Sequence, residues 1–329
     1  MIFDPDIRYG CVRCGKSCRH DWDIWIHRDL PARLEPHLAK LKLTRENAFV
    51  YEQGRVRLAR DQHGCRFLQD SLCSLHCQLG VFHKPNFCQQ YPWFFVDTPE
   101  GIRVSASYTC TAVLQGAGPP LGEQRAEIEK CLAQNPALDV SLLNWEETVD
   151  FHRRFAQAVE RELWALCLLR CLAQARAGRR WAELEPAQGP VEDMAWPRRL
   201  VVGALLKPCL DHDQELWSEL DRALGDGGEV KIPQFGYAGS GAELLEWAAR
   251  PLEEEVELER YRRSLWFRRQ HLRCAEPLAG LLLNWAPAPL YRVLARLTNG
   301  AEALERIEMT IGHGRGVERV FGLLAGYLI

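Results

Sequence analysis

The sequence of 329 residues has no long apolar run and no strong excess of one charge. Its longest apolar stretches, at 163–169 and 278–283, are far shorter than the roughly 18 residues of a membrane span, so we expect no membrane association. Lys and Arg number 41 against 44 Asp and Glu, which gives a net charge of −3. This balance predicts no general binding to nucleic acid, because such binding needs a basic surface.

Features of export and of several common enzyme classes are also missing. Asp4 and Asp6 lie where a signal peptide has positive charge followed by an apolar stretch, so we expect a cytoplasmic protein. We find no P-loop, no G-x-S-x-G elbow and no H-E-x-x-H motif in the sequence. The sequence therefore gives no direct sign of nucleotide hydrolysis, serine hydrolase or zinc protease chemistry.

Cysteine is abundant. The chain has 13 cysteines, an odd number, and we expect no export, so a thiolate metal site is a better interpretation than a set of disulfides. Most of these cysteines lie in the first third of the chain: Cys11, Cys14, Cys18, Cys65, Cys73, Cys77, Cys88 and Cys110.

The cysteine spacing favours metal binding. Cys11, Cys14 and Cys18 place three thiols within eight residues, and the later cysteines offer distant partners that can close a ligand shell. The basic residues beside them would offset the negative charge of such a site; they are Arg13, Lys16, Arg19 and Arg66. Zinc and iron-sulfur clusters both use four thiolates, so spacing leaves the metal open. The order C-x2-C-x3-C is the reverse of the C-x3-C-x2-C motif of radical S-adenosylmethionine (SAM) enzymes, so the sequence does not support radical SAM chemistry.

Several blocks of sequence together resemble one family. The blocks are Cys11-x2-Cys14-Gly15-x2-Cys18, Gly64-Cys65-Arg66-Phe67-Leu68, Leu72-Cys73-Ser74-Leu75-His76 and Lys84-Pro85-x2-Cys88-x2-Tyr91-Pro92. Their order and spacing resemble the YkgJ-type CxxCxxCC family of zinc- or iron-chelating cysteine-cluster proteins, some of which are described as flagellin lysine N-methylases. Ser107-Tyr108-Thr109-Cys110 is similar to a segment of the methylase-like branch. The resemblance covers roughly residues 9–112.

This resemblance implies metal chelation by seven matching cysteines: Cys11, Cys14, Cys18, Cys65, Cys73, Cys88 and Cys110. The chain departs from the family at Ser17, where the family has the first cysteine of a Cys-Cys pair. Cys77 lies outside the pattern and is either a substitute ligand or incidental. These thiols could form one site with spares or two sites, and we favour one zinc or iron-sulfur centre.

Other candidate residues have ordinary structural interpretations. His20, His63, His76 and His83 lie near the cysteine motifs as alternative ligands, but we leave them out of the ligand set because loop histidines usually face solvent. Cys167 and Cys171 share one face of a leucine-rich helix, which is typical of core packing. The aromatic residues at 82–95 similarly predict a packed core.

The pattern of elements predicts a mainly α protein in two parts. Residues 1–115 would form a cysteine-cluster metal domain with hairpins at 49–58 and 93–108, and residues 116–329 a C-terminal helical bundle. Helices are expected at 30–41, 144–176, 197–208, 211–224, 241–271, 278–297 and 301–328. The glycine-rich segment 230–243 resembles the outline of a SAM-binding turn, but Pro233 and the lack of a βαβ pattern favour a loop that ends at a Ser240 helix cap.

Three functional hypotheses remain. The first is a cytoplasmic metal-binding protein, with zinc or an iron-sulfur cluster, that binds or acts on another protein. The second is a SAM-dependent protein lysine N-methyltransferase, which follows from the methylase-like branch of the family alone and would require SAM. The third is an adaptor in which zinc has a purely structural role. The sequence identifies no catalytic residue for any of them.

Overall fold

The computed structural model describes residues 1–134, 138–139, 145–159, 167, 170–171, 174, 177–179, 183–188, 206, 214–253, 255–268 and 287–309. The chain divides into two compact units. The first comprises Met1–Asp97 with Gly101–Leu138, and the second comprises Thr98–Glu100 with Asp139–Ile329.

Many short strands are present in the first unit. The strands described up to residue 139 are β1 (Ile2–Phe3), β2 (Trp25–Ile26), β3 (Phe49–Glu52), β4 (Arg55–Leu58), β5 (Arg60–Asp61), β6 (Gly64–Cys65), β7 (Leu68–Gln69), β8 (Leu72–Cys73), β9 (Trp93–Asp97), β10 (Arg103–Ala106) and β11 (Leu138–Asp139). They form two small sheets of orders β1-β10-β9-β11 and β2-β4-β3, and the separate hairpins β5-β6 and β7-β8.

Both hairpins expected from the sequence are present. In β3-β4, Phe49 pairs with Leu58 and Glu52 with Arg55 across a turn in which Gln53 and Gly54 both have positive φ. Positive φ at both central residues is what a tight two-residue hairpin requires. In β9-β10, Val96 pairs with Arg103.

The helices of the first unit are short: α1 (Lys16–Arg19), α2 (Leu30–Leu34), α3 (Arg45–Ala48), α4 (Ser74–Leu79), α5 (Asn86–Gln90), α6 (Thr111–Leu114) and α7 (Arg125–Gln134). The helix expected at 30–41 ends at Leu34 and continues as a 3-10 turn at Glu35–His37. The four leucines of this segment are nevertheless buried. Leu30, Leu34, Leu38 and Leu41 form a core with Phe49, Val56, Leu58, Phe67 and Leu75. Three thiols, Cys65, Cys73 and Cys88, pack against this core.

The described elements of the second unit are α8 (Trp145–Val159), α9 (Gln214–Asp226), strands β12 (Glu229–Ile232) and β13 (Tyr237–Ser240), and helices α10 (Gly241–Ala249), α11 (Val256–Arg268), α12 (Pro287–Leu297) and α13 (Gly300–Ile307). The single helix expected at 241–271 is two helices, since Pro251 cannot supply the N–H that would continue the first. The predicted helix at 197–208 and the helix start at Asn144 fall almost wholly outside the described residues.

The expectation of a mainly α protein with a C-terminal helical bundle is wrong. About 51% of the structure is helical and 17% is strand, the N-terminal part is mostly strand and loop, and the C-terminal region is only partly helical. The sequence patterns did not indicate the two-residue ladders, which are too short to show alternation. The sequence patterns also led us to expect a loop where the structure has β12. In this strand, buried Val230 and Ile232 alternate with exposed Glu229 and Lys231. Pro233 follows this strand and does not interrupt it.

Within the described parts of the chain, no helix combines the length and the apolar character needed to cross a membrane.

Candidate metal centre

Two tight hairpins position Cys65 and Cys73. Cys65 ends β6 and lies across the ladder from Arg60, while Cys73 ends β8 and lies across from Leu68. The N–H and the hydroxyl of Ser74 both donate to the Phe67 carbonyl and close the open end of the β7-β8 hairpin. This arrangement brings both thiols to the edge of the apolar core.

The first cysteine motif packs directly onto these hairpins. Gly15 and Gly64 have φ values of 66° and 110°. A Cβ on Gly64 would lie 2.5 Å from the Cys18 carbonyl oxygen, and one on Gly15 would lie 2.7 Å from that of Ser71. Only glycine fits so close a backbone approach.

Arg19 strengthens this packing. Its guanidinium donates to the Cys14 carbonyl at 2.8 Å and to the Ser71 hydroxyl at 2.8 Å. Arg60 in turn donates to the Arg19 carbonyl at 3.2 Å. Cys18, which lies next to Arg19 in α1, is thereby held beside the two hairpins.

Four thiols from separate segments lie within electrostatic range of one another. We call them the four-thiol group, and they are Cys18, Cys65, Cys73 and Cys88. Burial, with added repulsion from Cys18 and Cys73, raises the pKa of Cys65 to about 12. Burial also raises the pKa of Cys88, and the other three thiols push it in the same direction. Burial and then Cys73 raise the pKa of Cys18.

Positive side chains surround the four-thiol group. Lys84, Arg60 and Arg19 each act to lower the pKa of Cys18, against the effect of burial. Lys84 acts in the same sense on the pKa of Cys88, and Arg60 on that of Cys65. The sequence drew attention to Arg19, but it gave no reason to select Arg60, whose place beside Cys65 follows from the register of β5-β6.

The remaining predicted ligands form a different cluster. We call Cys11, Cys14 and Cys110 the three-thiol group. Burial raises the pKa of Cys110, and the thiols of Cys14 and Cys11 add to this shift. Cys110 is buried, Cys11 and Cys14 are exposed, and the Cys14 thiol donates to the Thr111 hydroxyl at 3.4 Å.

Hydroxyl groups of neighbouring side chains lie beside the three-thiol group. Burial, with added repulsion from Cys11 and Cys110, raises the pKa of the Tyr9 phenol. The Tyr91 phenol hydrogen-bonds the side chains of Ser17 and Thr109. Ser17, at the position where the resembled family has a cysteine, is thus part of a hydroxyl network, which the sequence alone did not reveal.

The chemistry of the four-thiol group fits a thiolate metal centre, since it supplies four soft ligands with compensating positive charge. The side chains are not drawn together into a coordination shell. Among the described residues, no three His, Cys, Asp or Glu side chains are arranged to hold an ion. None of the eleven cysteines in the described ranges forms a disulfide.

The other candidate residues lie elsewhere. Cys77 is exposed in α4, and neither thiol group includes it. His20 stacks on Trp22 with ring centroids 4.9 Å apart, and His83 contacts His37 edge to face. Cys167 and Cys171 are fully buried, as expected for packing residues.

The glycine-rich segment 230–243 is an antiparallel hairpin followed by a helix. Glu229 pairs with Ser240, and the Ser240 hydroxyl caps α10 by accepting from the Glu243 N–H at 3.1 Å. The predicted cap is therefore present. The parallel crossover that dinucleotide-binding turns require is not formed by these strands.

Comparisons of the chain with protein-family models, with characterised proteins and with solved structures return no match. The resemblance to the YkgJ-type family rests on the cysteine motifs alone and stays a prediction.

Proposed function

We propose that this protein binds one zinc ion or one iron-sulfur cluster through Cys18, Cys65, Cys73 and Cys88. The observation that carries the proposal is the proximity of these four thiols, which come from segments up to 70 residues apart: Cys18, Cys65 and Cys73 are near enough to Cys88 to raise its pKa. Cys65, Cys73 and Cys88 also pack against the core of the first unit. Four thiolates are the ligand set that structural zinc sites and common iron-sulfur clusters share.

The three-thiol group does not meet the same requirement. It has three thiols, and the neighbouring side chains that could supply a fourth ligand are the hydroxyl groups of Tyr9, Ser17 and Thr111. A hydroxyl is a poor ligand for the soft metals that thiolates select. We therefore assign the centre to the four-thiol group and leave Cys11, Cys14 and Cys110 outside its ligand shell.

The positive side chains support this assignment. A four-thiolate site carries a large negative charge, and Lys84, Arg60 and Arg19 lie where they offset it. A bound centre would also link α1, the two hairpins and α5. Because thiolate ligands must stay reduced, we further propose a cytoplasmic location.

The test is metal analysis together with the visible spectrum of protein purified without oxygen. We expect about one equivalent of zinc in a colourless sample, or bound iron with absorbance at about 400 nm. Cys88→Ser should lose most of the metal, whereas the matched change Cys77→Ser should retain it. Metal-free wild-type protein, or full metal content in Cys88→Ser, would refute the proposal.

A further inference from the structure

A cavity of about 640 Å³ opens in the first unit beside Cys65. Its volume lies within the range of roughly 300–1,000 Å³ that is typical of small-molecule sites. The side chains of Leu43 and Leu68 supply apolar lining, and Arg19, Lys42 and Arg66 supply positive charge. The cavity therefore combines an apolar surface with a charged rim.

The charge on the rim favours an anion. Two carboxylates, Asp61 and Asp70, also line the cavity. Asp61 is already engaged, because it accepts from the Arg66 guanidinium at 2.5 Å and from the His63 N–H at 2.8 Å. Arg19 also lies beside the four-thiol group and offsets its charge, so Lys42 is the rim cation that a bound anion would contact.

The backbone around the cavity is held in an uncommon conformation. Lys42, Asp70 and Ser71 have φ values of 58°, 49° and 64°, a region that residues other than glycine adopt at a cost. Asp70 and Ser71 are the two central residues of the β7-β8 turn. The tight two-residue turn requires positive φ at both Asp70 and Ser71, so these residues shape the cavity wall for a structural reason.

We propose that this cavity binds a small organic anion, with its apolar part on Leu43 and Leu68 and its charged group near Lys42. Cys65, which belongs to the four-thiol group, also lines the cavity, so a bound anion would lie next to that group. The proposed contacts with Leu43, Leu68 and Lys42 include no metal ligand, so anion binding can be tested separately from the function proposed above.

The probe is 1-anilinonaphthalene-8-sulfonate, and N-phenyl-1-naphthylamine is its uncharged counterpart. Both are titrated by fluorescence into the full chain as purified. We compare Lys42→Gln with Lys40→Gln, since Lys40 is also exposed but does not line the cavity. Removing one positive charge from the cavity should weaken sulfonate binding about three- to fivefold.

Three results together would support the proposal. Lys42→Gln weakens binding of the sulfonate probe, Lys40→Gln leaves that binding unchanged, and the uncharged probe binds both variants equally. Equal sulfonate binding to the two variants would overturn the proposal. A parallel loss of the uncharged probe in Lys42→Gln would also overturn it, because the change would then reflect altered shape rather than charge.

Discussion

At the scale of single residues, Gly64 holds the two cysteine regions together. Its φ is 110°, and a methyl group there would press on the backbone of Cys18 and Arg19. Gly54 has a φ of 74°, but a methyl group there would meet no other described residue within 4 Å apart from its chain neighbours. Alanine at either position would therefore be conformationally strained. Only at position 64 would its methyl group also clash with the backbone of another segment.

We therefore expect Gly64→Ala to lower the free energy of unfolding by about 3 kcal/mol, and Gly54→Ala by about 1 kcal/mol. Urea unfolding followed by circular dichroism measures both values. Equal losses in the two variants would mean that the close approach of Gly64 to Cys18 contributes nothing to stability.

The sequence pattern predicted some features of the candidate ligands but not others. Cysteine spacing selected the thiols of both groups, because clustered thiols with distant partners are unusual in any other setting. The division into two groups could not be predicted, since it depends on Gly15, which turns the chain between Cys14 and Cys18 with a φ of 66°. The role of Arg60 was equally hidden, because strand register places it beside Cys65.

At the scale of elements, the sequence pattern predicted the hairpins β3-β4 and β9-β10 but not β12-β13, although each strand of all three has at least four residues. The ladders β5-β6 and β7-β8 have two residues a strand, and so short a segment has no periodicity to detect. Their existence follows from tight turns and from packing with the first cysteine motif. Sequence reasoning therefore recovered the two larger hairpins of the first unit and missed β12-β13 and the elements that carry Cys65 and Cys73.

Glu255 and Arg292 link the start of α11 to α12. Arg292 donates to the two carboxylate oxygens at 2.7 and 3.0 Å, and the pair is only 15% and 19% exposed. Burial acts to raise the pKa of Glu255. The hydrogen bonds from Arg292 and from the Leu252 N–H, with the charges of Arg292 and Arg262, together outweigh it, and the net pKa lies below the usual 4.5. The ion pair thus stabilises the folded chain at neutral pH.

Glu255→Gln should lower the free energy of unfolding by about 2 kcal/mol at pH 7. Because the folded-state pKa is depressed, this difference from wild type should shrink as the pH falls below about 4.5. The matched change Glu246→Gln affects an exposed pair with Arg250 at 4.0 Å and should cost under about 0.5 kcal/mol. Urea midpoints from pH 3 to 7 test this; a constant difference across that range would contradict it.

At the scale of the whole molecule, the two units should depend differently on the proposed metal centre. The described strands of the first unit are two to five residues long and its helices are mostly a single turn, so few elements there are stable alone. The described helices of the second unit run from 8 to 15 residues, and its core does not include the four-thiol group. A structural zinc contributes on the order of 10 kcal/mol to folding.

Removing the metal should therefore loosen the first unit before the second. Hydrogen exchange of metal-loaded and metal-stripped protein measures this: peptides from Phe49–Glu52 and Trp93–Asp97 should lose protection, while those from Gln214–Asp226 and Pro287–Leu297 keep it. Cys88→Ser should match the stripped wild type without treatment, and Cys77→Ser should match the loaded form. Unchanged exchange in the first unit after metal loss would show that a bound centre has no part in holding that unit together.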